Sequence, residues 1–267
     1  MRASRRPRWG QNFLSDPRVA RRIVASLGAG PGETVVEIGP GRGALTGPLL
    51  SAGLRVVAFE IDGRLAEALR SREAGRPLAV VTGDVLEADV ASALSEASAV
   101  PPVPLVGNLP YESATPMIRS FARRGDLFRR LVVMVQREVA DRLTAGPGNG
   151  AYGYLTLDVG AHADAHRLFD VAPGAFSPPP KVTSSVVELV PHPPAAGVRA
   201  ALAVASAAFT VRRKSLRNAL AARWGRERAG EALASAGIPP LARPEELSLD
   251  RFVALAEALG TPPDPQA

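Results

Sequence analysis

The residues of this chain best suited to chemistry are Asn108-Leu109-Pro110-Tyr111, directly after the apolar run 102–107. An asparagine side-chain carbonyl and a backbone carbonyl stiffened by Pro110 can each accept one N–H of an amine. Such a pair would draw an exocyclic nucleobase amine toward tetrahedral geometry. That frees a lone pair otherwise delocalised into the ring. Tyr111 can stack on the base and hold it flat at attack distance; alignment of this kind is worth ~7–11 kcal/mol of barrier. The same four residues also suit a Pro-containing turn after a strand, with Tyr111 as a core aromatic. The tetrapeptide by itself leaves both readings open.

A second set, Glu37-Ile38-Gly39-Pro40-Gly41-Arg42-Gly43, follows the first short apolar run. Glycines there let the backbone approach a bound nucleotide closely. Gly39-x-Gly41-x-x-Ala44 satisfies a loose dinucleotide fingerprint, and Glu60, ending the second run, can take ribose hydroxyls. A nicotinamide enzyme therefore competes at this point. Asp84, after the third run, is placed to accept from an adenine amino group. Asn108, after the fourth, lies where a transferred group would be delivered. Acidic residues after both the second and third runs suit S-adenosylmethionine. Asp84 equally suits the N-cap of a helix beginning near Leu86.

These residues need a scaffold, and the pattern supplies one. Thr34–Ile38, Arg55–Glu60, Leu78–Thr82, Val103–Gly107 and Leu131–Gln136 are short Val/Leu-rich runs that read as buried parallel strands. Helical patterns lie between them at about 44–52, 63–71, 86–97 and 113–124. That alternation implies a doubly wound α/β sheet with ligands at the carboxyl ends of its strands. Glu138–Thr144 and Tyr154–Ala161 read as helices, and Arg167–Val171 and Thr183–Val190 as a late antiparallel pair. Pro191–Gly197 is a linker, which suggests domains at 1–192 and 198–267, the second of them helical.

Composition narrows the function classes. The chain has 267 residues and no cysteine, which excludes disulfides and thiolate metal sites and fits a reducing cytoplasm. No stretch is apolar and long enough to span a membrane. The basic first nine residues lack an apolar h-region, so they do not read as a secretory signal, and the motif-like Gly10–Leu14 begins too early for a cleaved transit peptide. The net charge is +6, yet residues 1–30 carry +6 and residues 199–228 carry +7, which leaves the remainder at −7. Two basic segments on an otherwise acidic chain suggest a polyanion footprint, although solvated helix faces would look similar. Only Lys181 and Lys214 among the 32 basic residues are lysines, which reads as compositional bias.

Taken together, the motifs resemble the KsgA (RsmA) family of rRNA adenine-N6 dimethyltransferases. The match runs nearly end to end: Gly10–Leu14, Glu37–Thr46, Glu60-Ile61-Asp62, Gly83-Asp84, Gly107–Tyr111, Gln136–Val139, Phe176–Val182, Arg212–Asn218 and Ala242–Leu247. The resemblance implies a Rossmann-like class I methyltransferase sheet with a small C-terminal α-helical domain. It also implies dimethylation of two adjacent adenines in a hairpin loop near the 3′ end of small-subunit (16S) rRNA, with S-adenosylmethionine as cofactor. Cofactor contacts fall to Asn12, Leu14, Gly39, Gly41, Glu60, Ile61, Asp84, Val85 and Asn108. The base falls to Asn108, Leu109, Pro110 and Tyr111, with Phe176 flanking its other face, and the RNA backbone to Arg212, Arg213, Lys214 and Arg217 on a C-terminal helix. Packing against the adjoining prolines 178–180 is the plain alternative for Phe176. The implied setting is a cytoplasmic monomer acting on small-subunit rRNA or a pre-ribosomal small subunit. Glu112 departs from the family pattern, where a neutral residue is usual, and adds negative potential beside the RNA entrance.

Two alternatives share much of this pattern: a large-subunit adenine methyltransferase of the macrolide-resistance type, and a ribosome-assembly factor whose methylation is secondary. Arg212–Asn218 and Pro244–Leu247 favour the small-subunit type. The intact Asn108–Tyr111 motif argues against loss of catalysis. His162, His166 and His192 lack the partners of a metal site, and no metal is expected.

Overall fold

The Val-rich runs are strands, and burial on both faces explains the composition of the central ones, Thr34–Ile38, Arg55–Glu60, Val103–Asn108 and Phe128–Gln136. The structure, a computed structural model, describes residues 12–211 and 214–260. In chain order it contains β1 (Phe13–Leu14), α1 (Pro17–Ala25), β2 (Thr34–Ile38), α2 (Thr46–Ser51), β3 (Arg55–Glu60) and α3 (Gly63–Arg72). Then come β4 (Leu78–Thr82), α4 (Val90–Glu96), β5 (Val103–Asn108), α5 (Ala114–Ala122), β6 (Phe128–Gln136), α6 (Arg137–Leu143) and α7 (Tyr154–Gly160). β7 (Ala163–Val171), β8 (Phe176–Ser177) and β9 (Ser184–Pro191) complete the strands. Four helices follow: α8 (Val198–Phe209), α9 (Leu216–Trp224), α10 (Arg226–Ser235) and α11 (Leu249–Leu259).

Seven strands form one sheet in the order β4-β3-β2-β5-β6-β9-β7. β4 through β6 are parallel, and β9 pairs antiparallel with both β6 and β7. Chain direction across the sheet reverses between β2 and β5, which are neighbours, and this switch point opens a crevice at their carboxyl ends. All five residues of β2 are buried, whereas edge strand β4 has none. One face of the sheet packs on Ile23 and Leu27, from α1 and its end, and on Leu49 of α2, through Val35, Val56, Val106 and Val132.

The chain divides into two compact units, Met1–Ala140 with Ala163–His192, and Asp141–His162 with Pro193–Ala267. The break after His192 falls within the run 191–197. The assignment of 141–162 differs: Tyr152, Leu157 and Ala161 pack into the core of α8–α11 rather than onto the sheet. That core is built from Leu202, Leu216, Leu220, Leu233, Phe252 and Leu259, all buried.

Three local features depart from the sequence reading. α4 begins at Val90 rather than near Leu86, because Asp89 is its N-cap and accepts from Ser92 N–H at 3.0 Å. α1 is an additional helix; Asp16 caps it through Arg18 N–H at 2.8 Å and Pro17 opens its first turn. The two-residue strands β1 and β8 pair with each other, Leu14 opposite Phe176.

Candidate active site

The glycine loop sits where β2 runs out. Glu37, second from the end of β2, is only 1% exposed, and its carboxyl accepts from Thr46 Oγ1–H at 2.7 Å. Burial pushes its pKa up to about 8. Gly39 N–H donates to the Phe59 carbonyl at 2.9 Å, tying the loop to the end of β3. Gly41, with φ +55°, donates its N–H to Glu60 Oε2 at 2.9 Å, and Asp62 N–H donates to Glu60 Oε1 at 3.0 Å. Glu60 is 2% exposed, so each oxygen spends one lone pair on the backbone and keeps another for a ligand.

Asp84 follows β4. Its Oδ1 accepts from Leu86 N–H at 3.0 Å, so it caps the turn 85–88 rather than a helix. Next to it, Ile61 is 43% exposed and Val85 is buried, which gives the crevice an apolar wall.

Asn108 ends β5 at the switch point. Its Nδ2 donates to the Asn12 carbonyl at 3.1 Å, which leaves the acceptor Oδ1 at the other end of the amide. Leu109 is buried, with its N–H on the Met134 carbonyl at 3.1 Å. The Pro110 carbonyl accepts from Ser113 and Ala114 N–H at 3.1 and 2.9 Å, being consumed by the turn into α5. The turn into α5 engages the Pro110 carbonyl and not the Leu109 carbonyl. The Tyr111 hydroxyl lies 3.3 Å from Ser184 Oγ, which anchors the ring's outer edge to β9.

One cavity of about 320 Å³ brings these groups together. Its lining includes Asn12, Gly39, Gly41, Glu60, Ile61, Asp84, Val85, Asn108, Leu109, Pro110 and Tyr111. It also includes residues that the sequence does not single out as ligands: Phe13, Ile38, Pro40, Phe59, Gly83, Glu112, Ser113 and Met117. Phe13 carries a signal, since it lies inside the Gly10–Leu14 motif.

Leu14 and Phe176 stand elsewhere. Both are buried, at 6% and 4% exposure, and pack together with Val171 and Ala175 in the core. Neither lines the cavity, because the β1–β8 pairing turns both side chains inward. Here Phe176 and Leu14 face each other across the β1–β8 pair. In the helical unit, Lys214 is exposed in the turn before α9, and Arg217 is exposed in the first turn of α9. Lys214 and Arg217 do not share one helix as the sequence suggests: Lys214 precedes the N-cap Ser215, and Arg217 lies within α9. Arg212 and Arg213 lie outside the described residues.

The family model for ribosomal RNA adenine dimethylase matches residues 2–260. The chain belongs to this family. A Ribosomal RNA small subunit methyltransferase A from Methylococcus capsulatus is 45% identical over 264 residues, 97% of this chain and 99% of the relative. One from Pseudomonas fluorescens is 41% identical over 266 residues, 97% and 96% of the two chains. Among solved structures, the 23S rRNA methyltransferase ErmE superposes with a TM-score of 0.70 at 26% identity, covering 93% of this chain and 99% of its own. A dimethyladenosine transferase from Plasmodium falciparum has the same fold, with a TM-score of 0.72, and covers 91% of this chain and 95% of its own. As a member of the ribosomal RNA adenine dimethylase family, the protein is an α/β methyltransferase with a helical C-terminal region.

Proposed function

We propose that the protein transfers methyl groups from S-adenosylmethionine to adenine N6 in small-subunit rRNA, twice at each of two adjacent adenines in a hairpin loop near the 3′ end, during ribosome biogenesis. The observation that carries this reading is a single cavity whose lining brings together Glu60, Asp84, Asn108 and Leu109. Its volume, about 320 Å³, lies within the range of small-molecule sites. The donor set fits the cofactor. Glu60 keeps lone pairs for two ribose hydroxyls, Asp84 keeps one carboxylate oxygen for an adenine amino group, and Ile61 and Val85 offer that ring an apolar surface. The cofactor, when bound, supplies a methyl group on a positively charged sulfonium.

The chain's own residues account for the rest. Asn108 Oδ1 and the Leu109 carbonyl accept the two N–H bonds of the target amine and draw its nitrogen toward tetrahedral geometry. Tyr111 stacks on the base, an interaction worth roughly 1–3 kcal/mol. The nitrogen becomes cationic as the N–C bond forms, so its proton passes to water without a strong base. Adenine N6 is engaged in a paired helix, which makes an unpaired or extruded base the substrate. The relatives at 45% and 41% identity support the small-subunit target over a large-subunit one, whose representative is 26% identical.

Single-turnover methylation by Asn108→Ala is the test. Removing an interaction made mainly in the transition state should lower the rate by about 10²–10³, with RNA and cofactor affinity retained. A wild-type rate in that variant would remove Asn108 from the chemistry. Dimethyladenine mapped to large-subunit rRNA would assign the alternative target.

A further inference from the structure

Asn108 reaches its orientation through a neighbour far away in sequence. An asparagine amide can turn over with almost no change of shape, and turned over it would aim two N–H donors, not an acceptor, at the incoming amine. The Asn12 carbonyl decides between the two by accepting from Nδ2 at 3.1 Å. Residues 13–16 hold Asn12 in place. The Phe13 ring packs on the glycine loop so closely that a Cβ added to Gly41 would lie 3.0 Å from it, and the Arg42 guanidinium carbon sits 4.5 Å from the ring centroid. Leu14 enters the core opposite Phe176, and Ser15 N–H and Asp16 N–H both donate to the Ala175 carbonyl, at 2.8 and 3.2 Å.

We propose that Phe13, clasped between Gly41 and Arg42, is a positioning residue for methyl transfer: it fixes the Asn12 carbonyl, which holds the Asn108 amide acceptor-first toward the target amine. This rests on the function proposed above. It assigns the loop's glycine at 41 a second task besides its φ of +55°, since a Cβ there would press on the ring at 3.0 Å. The loop and the acceptor are then linked through one aromatic side chain.

The test measures kcat and KM for RNA and for S-adenosylmethionine in Phe13→Ala, Phe13→Tyr and Arg42→Ala. One hydrogen bond governs the amide, so Phe13→Ala should lower kcat about three- to tenfold at saturating substrates. Phe13→Tyr, which keeps the ring, should stay within about twofold of wild type. In an Asn108→Ala background, Phe13→Ala should leave the residual single-turnover rate nearly unchanged, because its target is gone. An equal loss in that background, or a loss confined to the cofactor KM, overturns the proposal. If Phe13→Ala fails to fold, Arg42→Ala, which alters an exposed side chain, carries the same comparison and is read in the same way. A wild-type enzyme that methylates no adenine would instead defeat the proposed function, and the parallel wild-type assay separates the two failures.

Discussion

Glu37 is a carboxyl group sealed beneath the glycine loop, and burial outweighs its bond from Thr46 to push the pKa up to about 8, with the nearby Glu60 charge adding to the rise. The folded protein thus keeps a proton that the unfolded chain gives up. Stabilisation from this group is complete below the ordinary value of 4.5 and is lost as pH rises through about 8. Glu37→Gln keeps an acceptor for Thr46 and removes the titration. The variant should gain on wild type by up to ~1.4 kcal/mol per pH unit across that window. Urea unfolding at several pH values decides, and a constant difference between the two proteins would mean that Glu37 titrates normally. Tyr111 makes the complementary case. Tyr111→Phe gives up only a hydroxyl 3.3 Å from Ser184 and should lose a few-fold in rate at most, whereas Tyr111→Ala loses stacking worth ~1–3 kcal/mol. Equal losses in the two variants would shift the role from the ring face to the hydroxyl.

Elements position these residues with little slack. A Cβ on Gly107 of β5 would lie 2.9 Å from the Ile38 carbonyl oxygen on β2, a backbone atom that cannot swing aside. Gly107→Ala should therefore wedge the two strands apart at the switch point, one residue before Asn108. We expect a loss of ~1–3 kcal/mol in denaturant unfolding together with slower methyl transfer; unchanged stability would show that the sheet yields there. The central sheet is legible because parallel strands covered on both faces, such as β2 and β3, need unbroken apolar runs, and the bounds of β2, β3 and the edge strand β4 follow the sequence residue for residue. β1 and β8 are not legible, since two residues carry no periodicity. That gap bears on Phe176: its motif suggests an aromatic flanking the base, and the pairing that sets it opposite Leu14, 4% exposed, is invisible in the sequence. The sequence sets α4 too early because Asp84 looks like an N-cap, and it does cap a turn. The helix waits for Asp89. Which carbonyl beside Pro110 stays free is a property of the turn into α5, and no residue spacing encodes it.

At the scale of the whole molecule, charge is the feature that composition alone reveals. The chain outside its two basic segments is net negative by seven charges, so its net attraction for a polyanion is concentrated in those segments. Lys214 is exposed in the turn before α9, and the Arg217 guanidinium lies along Gly230 of α10, where a Cβ would come within 3.3 Å of Nε. Arg217 thus has a packing role as well as a charge, which makes Arg212, Arg213 and Lys214 the cleaner targets. Cations on phosphates set register without reading sequence. Reversing those three to Glu should weaken rRNA binding and make the slope of log affinity against log salt shallower by ~0.7 for each phosphate no longer neutralised. Cofactor affinity should hold, because every residue lining the cavity belongs to the unit containing the sheet. The rival account makes these side chains simple solvated cover for the helical unit. It predicts wild-type affinity and an unchanged salt slope in a variant whose circular dichroism is intact, so the slope, read beside cofactor affinity, chooses between an RNA anchor and a surface that merely keeps the unit in solution.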